Sequence, residues 1–419
     1  MLIAAVVVLS ILFCIAVFNL KSPGKRIEHV IAPAGPLDSE VVMRSIGQLL
    51  GPPLLPGNEI QLLENGDEIF PAMLGAIRTA KRTITFETFI YWSGTIGLEF
   101  AEALSERARS GVKVHVLLDW IGSNKFDEAQ IERMREAGVA VERYRPLRWY
   151  NVSRVNNRTH RKILVIDGKV GFTGGVGIAD PWSGNAEDKD HWRDCHFRLS
   201  GPAVAQLQAA FMDNWNATRP EVLHGPAYFP ELAPAGNLCA QVFKSSPEEG
   251  SGSVRLMFLY SIAHARKSIR IASAYFVPDS HVRAALCEAA QRGVKIEVIV
   301  PGRWIDTAIT RRASRAVWGD LLRAGLKIHE YQGTMFHSKY MIVDGVWSSV
   351  GSTNFDNRSF RLNDECNLNA IDAAWGQRME AMFAKDLQRA RAITWEEWRN
   401  RPLLEKAIEN LAFLARSQV

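Results

Sequence analysis

Cysteine is scarce in this chain, and no two cysteines sit at a useful spacing. Cys14, Cys195, Cys239, Cys287 and Cys366 are scattered over 419 residues. No C-x-x-C pair and no Cys/His spacing suited to zinc occurs, which argues against a disulfide framework and a zinc site and leaves incidental buried thiols. A strong charge imbalance is also missing. The net charge of +5 gives a mild attraction to anionic partners and does not choose between lipid headgroups and nucleic acid. The hydrophobic content of 47% and charged fraction of 23% are those of an ordinary folded protein, and the length favours two domains over one.

Charge is absent altogether from residues 1–20, M-L-I-A-A-V-V-V-L-S-I-L-F-C-I-A-V-F-N-L. As a helix this run would span about 30 Å, enough to cross a bilayer. A cleaved signal peptide would carry basic residues before the run and a small-x-small site after it. Here Lys21, Lys25 and Arg26 follow the run, so it reads as a retained single-pass anchor. The basic flank places the main body on the cytoplasmic side. Residues 21–57, ending in L-G-P-P-L-L-P-G, read as a membrane-proximal linker.

From residue 58 onward the chain repeats itself. A helical run over 69–80, a strand over 83–91, a helix over 98–110, Gly111 and the strand V-K-V-H-V-L-L-D are answered later. The counterparts are S-I-R-I-A-S-A-Y-F, a helix over 282–292, Gly293 and V-K-I-E-V-I-V. R-E-A-G-V-A-V-E-R-Y is likewise matched by L-R-A-G-L-K-I-H-E-Y. Alternating strands and helices predict an α/β fold, with a mixed sheet flanked by helices and one unit used twice, over 58–223 and 253–392. The Pro-rich stretch 224–252 reads as the linker between them, and 393–419 as an amphipathic C-terminal helix. Packing on the body is that helix's default; its tryptophans and arginines also suit a membrane surface.

Both halves end in the same polar constellation. The first reads T-H-R-K-I-L-V-I-D-G-K-V-G-F-T-G-G, with His160, Lys162 and Asp167; the second reads F-H-S-K-Y-M-I-V-D-G-V-W-S-S-V-G-S-T-N, with His337, Lys339 and Asp344. An apolar strand, Asp-Gly and a second strand predict a hairpin. Period-2 alternation then points His and Lys to one face. The small-residue turns beyond, with Gly174 and Gly175 in one copy and Gly351, Ser352 and Asn354 in the other, are candidates to hold phosphate oxygens. Lysine neutralises phosphoryl charge, and histidine attacks phosphorus or moves a proton. Two histidines suit a displacement with a covalent intermediate and call for no metal and no cofactor. The two aspartates, at the hairpins, are expected to support the catalytic set and not to transfer protons. His29, His115, His224, His264, His281 and His329, in no such pattern, read as structural.

These stretches match the H-x-K-x4-D signature, and the chain resembles the phospholipase D superfamily from about residue 58 to 392. It is most similar there to bacterial cardiolipin synthases. It shares their N-terminal apolar segment, the F-E-T-F-I-Y strand with Glu87, H-W-R-D-C-H-F-R-L-S-G-P-A-V, Y-F-V-P, and N-R-S followed by Glu365. The resemblance implies two phospholipase D-like domains related by a pseudo-twofold axis, one site between them, and a phosphatidyl-histidine intermediate. It implies supporting roles for Glu87 and Glu365, and phosphatidylglycerol in the bacterial inner membrane as substrate. One departure stands out: Gly177 occupies the place where such proteins commonly carry Asn, so the halves cannot contribute equally. His160 is expected as nucleophile and His337 as acid/base.

The expected activity is transfer of a phosphatidyl group between two phosphatidylglycerols, giving cardiolipin and glycerol. A hydrolase of phospholipids is the alternative, since water and a primary alcohol differ little as attacking groups. A phosphodiesterase or nuclease fits less well, because it needs no lipid access. A non-catalytic tethered protein conflicts with two intact His–Lys pairs. The arginine-rich stretch 143–159 before the first motif reads as either a solvated loop or a rim for phosphates, and an anionic bilayer surface is the expected setting.

Overall fold

The computed structural model describes Ser10 and residues 31–147, 156–247 and 253–414. Fifteen strands lie in one sheet order. The first half contributes β1 (Leu55–Glu64), β2 (Thr83–Thr88), β3 (Lys113–Asp119), β4 (Ala140–Tyr144), β5 (Ile163–Ile166), β6 (Val170–Gly174) and β7 (Cys195–Ser200). The second half contributes β8 (Leu238–Ser245), β9 (Ser268–Ser273), β10 (Lys295–Pro301), β11 (Lys327–Tyr331), β12 (Lys339–Val343), β13 (Trp347–Gly351), β14 (Glu365–Ile371) and β15 (Ala390–Ile393). The order β15-β11-β10-β9-β12-β13-β14-β8-β1-β7-β6-β5-β2-β3-β4 reads alike outward from its middle: β8-β14-β13-β12-β9-β10-β11 mirrors β1-β7-β6-β5-β2-β3-β4. In each half the outer three repeat strands run parallel and the rest antiparallel. This is the mixed sheet and doubled unit that the repeat predicts.

Alternation along the strands decides where the cores lie. Leu164 and Ile166 of β5 join a cluster with Phe86, Phe100 and Leu104 beneath the helices Asn65–Thr79 and Thr95–Arg109. Ile163 and Val165, pointing the other way, join a central cluster that also holds Tyr340 and Ile342 of β12 and Leu368 of β14. Met341 and Val343 feed a third cluster with Val298 and Trp347. The middle core therefore belongs to both halves. A face shared between halves is removed from water only when they are together, which makes them one folding unit.

Three segments differ from the sequence reading. The stretch 224–252, expected as a linker, contains β8, which pairs with β14 over Cys239–Ser245 and with β1 at Leu55 and Asn58. Its surrounding Pro and Gly residues hide a strand of only eight residues. The membrane-proximal stretch contains the helix Glu40–Leu50, whose Val42, Ile46 and Leu50 are buried, and the start of β1. The C-terminal segment is β15 followed by two helices, Trp395–Arg399 and Leu403–Leu414. Among the described residues no helix is long and apolar enough to cross a membrane. The expected anchor, residues 1–20, lies outside them apart from Ser10.

Candidate active site

Each His-x-Lys stands just before or at the start of a central strand, His160 and Lys162 ahead of β5, His337 and Lys339 at β12. Both are pulled toward the opposite half by backbone pairing. His160 N–H donates to Asp364 O at 2.9 Å and Asp364 N–H to Arg158 O at 2.9 Å. In the mirror arrangement His337 N–H donates to Arg193 O at 2.8 Å and Arg193 N–H to Met335 O at 2.9 Å. Each half thus threads its motif along the entry to the other half's strand, β14 or β7.

The side chains cross in the same way. His160 Nδ1 lies 3.1 and 3.0 Å from the carboxylate oxygens of Glu365, and His337 Nδ1 lies 2.7 Å from Asp194 Oδ2. Asp194-Cys195 and Glu365-Cys366 occupy matching places at the starts of β7 and β14. Each histidine is therefore braced by a carboxylate of the other half. Glu365 also accepts from Ser352 Oγ at 2.5 Å, and Asp194 accepts from Trp182 Nε1 at 2.9 Å and from Cys195 N–H at 2.8 Å. Lys162 Nζ donates to His160 O at 2.8 Å, while Lys339 Nζ comes within 3.0 and 3.2 Å of the His337 ring nitrogens. Phe89 meets the His160 ring edge-on at 5.3 Å, and Trp182 and Trp192 flank His337 at 5.2 and 5.6 Å.

Burial sets the protonation states. Both imidazoles are held below the ordinary histidine range by desolvation, with neighbouring lysines adding to the effect; His160 is pushed down to about 4. Burial raises Asp194 and Glu365, but their histidine and lysine neighbours outweigh it and hold both below the usual carboxylate range. An ionised carboxylate only accepts hydrogen bonds. Nδ1 of each histidine therefore carries the proton, and Nε2 of a neutral ring presents a lone pair. Desolvation lowers Lys162 to about 7 and lowers Lys339 as well. The crossed braces, His160 on Glu365 and His337 on Asp194, bring the two His–Lys pairs toward each other, and Lys339 lowers both His160 and Lys162.

Asp167 and Asp344 are not brought to it. They sit at the far ends of β5 and β12, in hairpin turns with φ of 53° and 54°. Asp167 accepts backbone N–H from Lys81, Arg82 and Thr83, the closest at 2.7 Å; Asp344 does the same with Arg266, Lys267 and Ser268, the closest at 2.7 Å. Each fastens its hairpin to the start of β2 or β9, so the signature's aspartate serves the strand that delivers His and Lys. Glu87 is also second to the site: its Oε1 accepts from Thr159 Oγ1 at 2.5 Å and Asn214 Nδ2 at 2.6 Å. Burial pushes it up to about 7 against the pull of Arg161.

The expectation that the small-residue turns offer backbone donors to phosphate is corrected. Gly175 N–H donates to Cys195 O at 3.1 Å and Ser352 N–H to Cys366 O at 3.0 Å, so those donors are spent within the sheet. Gly174 and Gly351 are bare because a Cβ would lie 2.7 Å from Cys195 O and 2.3 Å from Cys366 O. At Gly177 a Cβ would meet Ile90 Cβ at 2.7 Å and Trp182 at 3.1 Å. Ile90 and Trp182 thus fill the space on the first half's side, which explains the missing amide there. In the second turn the hydroxyls of Ser352 and Thr353 are spent on Glu365 and Asn367, whereas the buried Oδ1 of Asn354 is unpartnered among the described residues.

Asp194, Arg161, Trp182 and Phe89 were not singled out in the sequence. Arg161, inside the first motif, is fully buried and donates to Ala210 O at 2.7 Å, Asp213 at 3.0 Å and Ser245 O at 3.1 Å. Asp194 had a signal, since it and Glu365 each immediately precede a cysteine at matching points of the repeat.

A family model described as cardiolipin synthase, PLD-like domain matches residues 73–213 and 258–387, one segment in each half. The chain belongs to this phospholipase D-like family. It is 36% identical over 371 residues to cardiolipin synthase A of Pseudomonas entomophila (strain L48), covering 88% of this chain and 77% of that one. It is 35% identical over 361 residues to cardiolipin synthase A of Pseudomonas syringae pv. syringae (strain B728a), covering 86% and 75%. Among solved structures, phosphatidylserine synthase of Haemophilus influenzae Rd KW20 is similar in fold with a TM-score of 0.67 at 13% identity, covering 90% of this chain and all of that one. Polyphosphate kinase of Porphyromonas gingivalis gives 0.54 at 14% identity, covering 94% and 57%.

Proposed function

We propose that this protein is a cardiolipin synthase-type phosphatidyltransferase that joins two phosphatidylglycerols into cardiolipin and releases glycerol. The observation that carries this reading is the pair of buried histidines, each braced at Nδ1 by the other half's carboxylate, in a chain of the cardiolipin synthase family. His160 Nε2 attacks the donor phosphorus. The bond from phosphorus to the glycerol oxygen breaks, and His337, which enters this step as the imidazolium with a second proton on Nε2, gives that proton to the leaving alkoxide. In the second step the hydroxyl of another phosphatidylglycerol loses its proton to His337 as its oxygen attacks phosphorus. The P–N bond to His160 then breaks. Lys162 and Lys339 balance the phosphoryl oxygens' charge through both steps.

Lipid access supplies the setting. The uncharged segment 1–20 is read as a single-pass anchor in the bacterial inner membrane, with the body on the cytoplasmic side. The helix Leu403–Leu414 is read as a second contact with the anionic bilayer surface. Its buried Glu409 bonds to Arg315 at 2.8 Å and Arg401 at 2.6 Å, and its buried Ala412 packs with Val277 and Ala313, so the helix docks by this face. Leu403, Leu404, Leu411 and Leu414 face outward, each at least 68% exposed.

The test is to incubate purified protein with phosphatidylglycerol and identify the products. Cardiolipin and glycerol in equal amounts are expected; phosphatidic acid in place of cardiolipin would make the protein a hydrolase.

A further inference from the structure

The carboxylate that braces His337 is anchored in the opposite half of the molecule. Besides His337, the Asp194 carboxylate bonds to Trp182 and Cys195, both of the first half. The Asp194 carbonyl oxygen accepts from Asn65 N–H at 3.0 Å and from Arg193 Nη1 at 2.9 Å, again first-half groups, with Asn65 at a left-handed φ of 57°. His337 is carried by the second half, at the entry to β12. A brace fixed in one half aims an imidazole of the other only if the two are keyed together close by. Arg193 supplies such a key. Its main chain bonds to His337 N–H and Met335 O, while its buried guanidinium reaches into the second half. Nε lies 2.6 Å from Asp386 Oδ1 and Nη2 3.0 Å from Oδ2, a bidentate pair of narrow geometry. Nη2 also meets Glu64 at 2.8 Å. Asp386 is buried too, on the helix Ala373–Leu387. The Tyr340 hydroxyl, one residue beyond Lys339, donates to it at 3.3 Å. At the matching position before Glu365 stands an acid, Asp364, which accepts from the Tyr144 hydroxyl at 2.7 Å. The two braces are therefore not keyed alike.

We propose that Arg193, through its pair with Asp386, is a positioning residue for His337. It sets where the Asp194 carboxylate meets Nδ1, and so where Nε2 aims at the leaving alkoxide. Arg193 acts through Asp194 and bonds to no imidazole nitrogen. The proposal rests on the reading of His337 as acid/base and adds what fixes its aim. Lysine at 193 would keep a cation beside Asp386 but offers one nitrogen where Arg193 uses Nε, Nη1 and Nη2. It cannot hold Asp386 and the Asp194 carbonyl together, so the brace would lose its register with the ring. Asp386→Asn weakens the same key from the second half, with Glu64 still paired to Arg193. A misaimed acid slows only a step that needs a proton. A glycerol alkoxide needs one to leave, whereas p-nitrophenolate is stable as the anion and leaves with the bonding electrons unprotonated.

The test compares two donors under single-turnover conditions, with the full-length protein in mixed micelles. Release of glycerol from phosphatidylglycerol is set against release of p-nitrophenolate from phosphatidyl-p-nitrophenol. Wild type, Arg193→Lys, Asp386→Asn and His337→Ala are measured alongside their urea midpoints. The ratio of the p-nitrophenolate rate to the glycerol rate is expected to rise about tenfold in Arg193→Lys and about threefold in Asp386→Asn, with a larger rise in His337→Ala. Asp386→Asn carries the test should Arg193→Lys fail to fold. A purely structural role would slow both donors alike. A raised ratio in His337→Ala with the wild-type ratio in the folded Arg193 and Asp386 variants would therefore overturn the proposal. An unchanged ratio in His337→Ala would instead overturn the acid/base reading, and the proposal with it. Release of the leaving group is common to transferase and hydrolase, so phosphatidic acid as the product would overturn the transferase reading and leave this comparison standing.

Discussion

At the residue scale the site depends on which nitrogen of each imidazole carries a proton. Asp194→Asn keeps the shape but no longer forces the proton onto His337 Nδ1, so turnover is expected to fall at least a hundredfold with circular dichroism unchanged. His337→Ala should abolish turnover while the protein stays folded and membrane-bound; near-normal activity in that variant would sink the two-histidine mechanism. The pH profile follows from the shifts. His160 must be neutral to attack, so kcat/KM falls as pH drops through about 4. His337 must carry a second proton to release the alkoxide, and its depressed value places that loss below the ordinary histidine range as pH rises. The expected profile is a bell centred on mildly acidic pH. In Asp194→Asn the anion that raises His337 is gone, so the alkaline limb should move to lower pH.

At the element scale the signature's aspartates act through the hairpins. Asp344→Ala removes the acceptor for three backbone N–H groups at the start of β9, and is expected to lower stability by about 1–3 kcal/mol, read as a lower urea midpoint. Turnover at a temperature where the variant is folded should fall far less than in His337→Ala. Gly175 is the sensitive point of the other hairpin. A Cβ there would lie 2.2 Å from Asp194 Oδ1. Gly175→Ala should therefore displace the carboxylate from His337 and reduce kcat by an effect comparable to Asp194→Asn. Equal activity to wild type would show that the brace is dispensable.

At the scale of the whole molecule, Arg161 joins what the sequence separates. It reaches Ala210 and Asp213 in the first half and Ser245 in the second. Arg161→Met strands the buried Ala210 and Ser245 carbonyls, while Asp213 keeps Lys244 at 2.8 Å, and is expected to cost about 3 kcal/mol. Because the central core is shared, unfolding of the variant should remain one cooperative transition. Two separate transitions in calorimetry would refute the single folding unit. The outward leucines of the C-terminal helix belong to this scale too. Leu404→Glu with Leu411→Glu should lower activity in phosphatidylglycerol bilayers severalfold and leave activity in mixed micelles unchanged.

The repeat, the mixed α/β class, the paired His-x-Lys and the hairpins were legible in the sequence because each rests on local periodicity or short spacing. Glu365 was legible as support through family resemblance, and the inequality of the halves through Gly177. What the tertiary structure decided is how residues far apart in the chain meet. Glu365 braces His160 across 205 positions, and Asp194 braces His337 across 143; no local pattern encodes such a crossing. The same holds for β8, whose pairing partners lie in both halves, and for the turns, whose donors were free in the sequence and spent in the sheet. Spacing fixes which side chains share a strand face, but only packing of one half on the other determines which carboxylate each histidine faces.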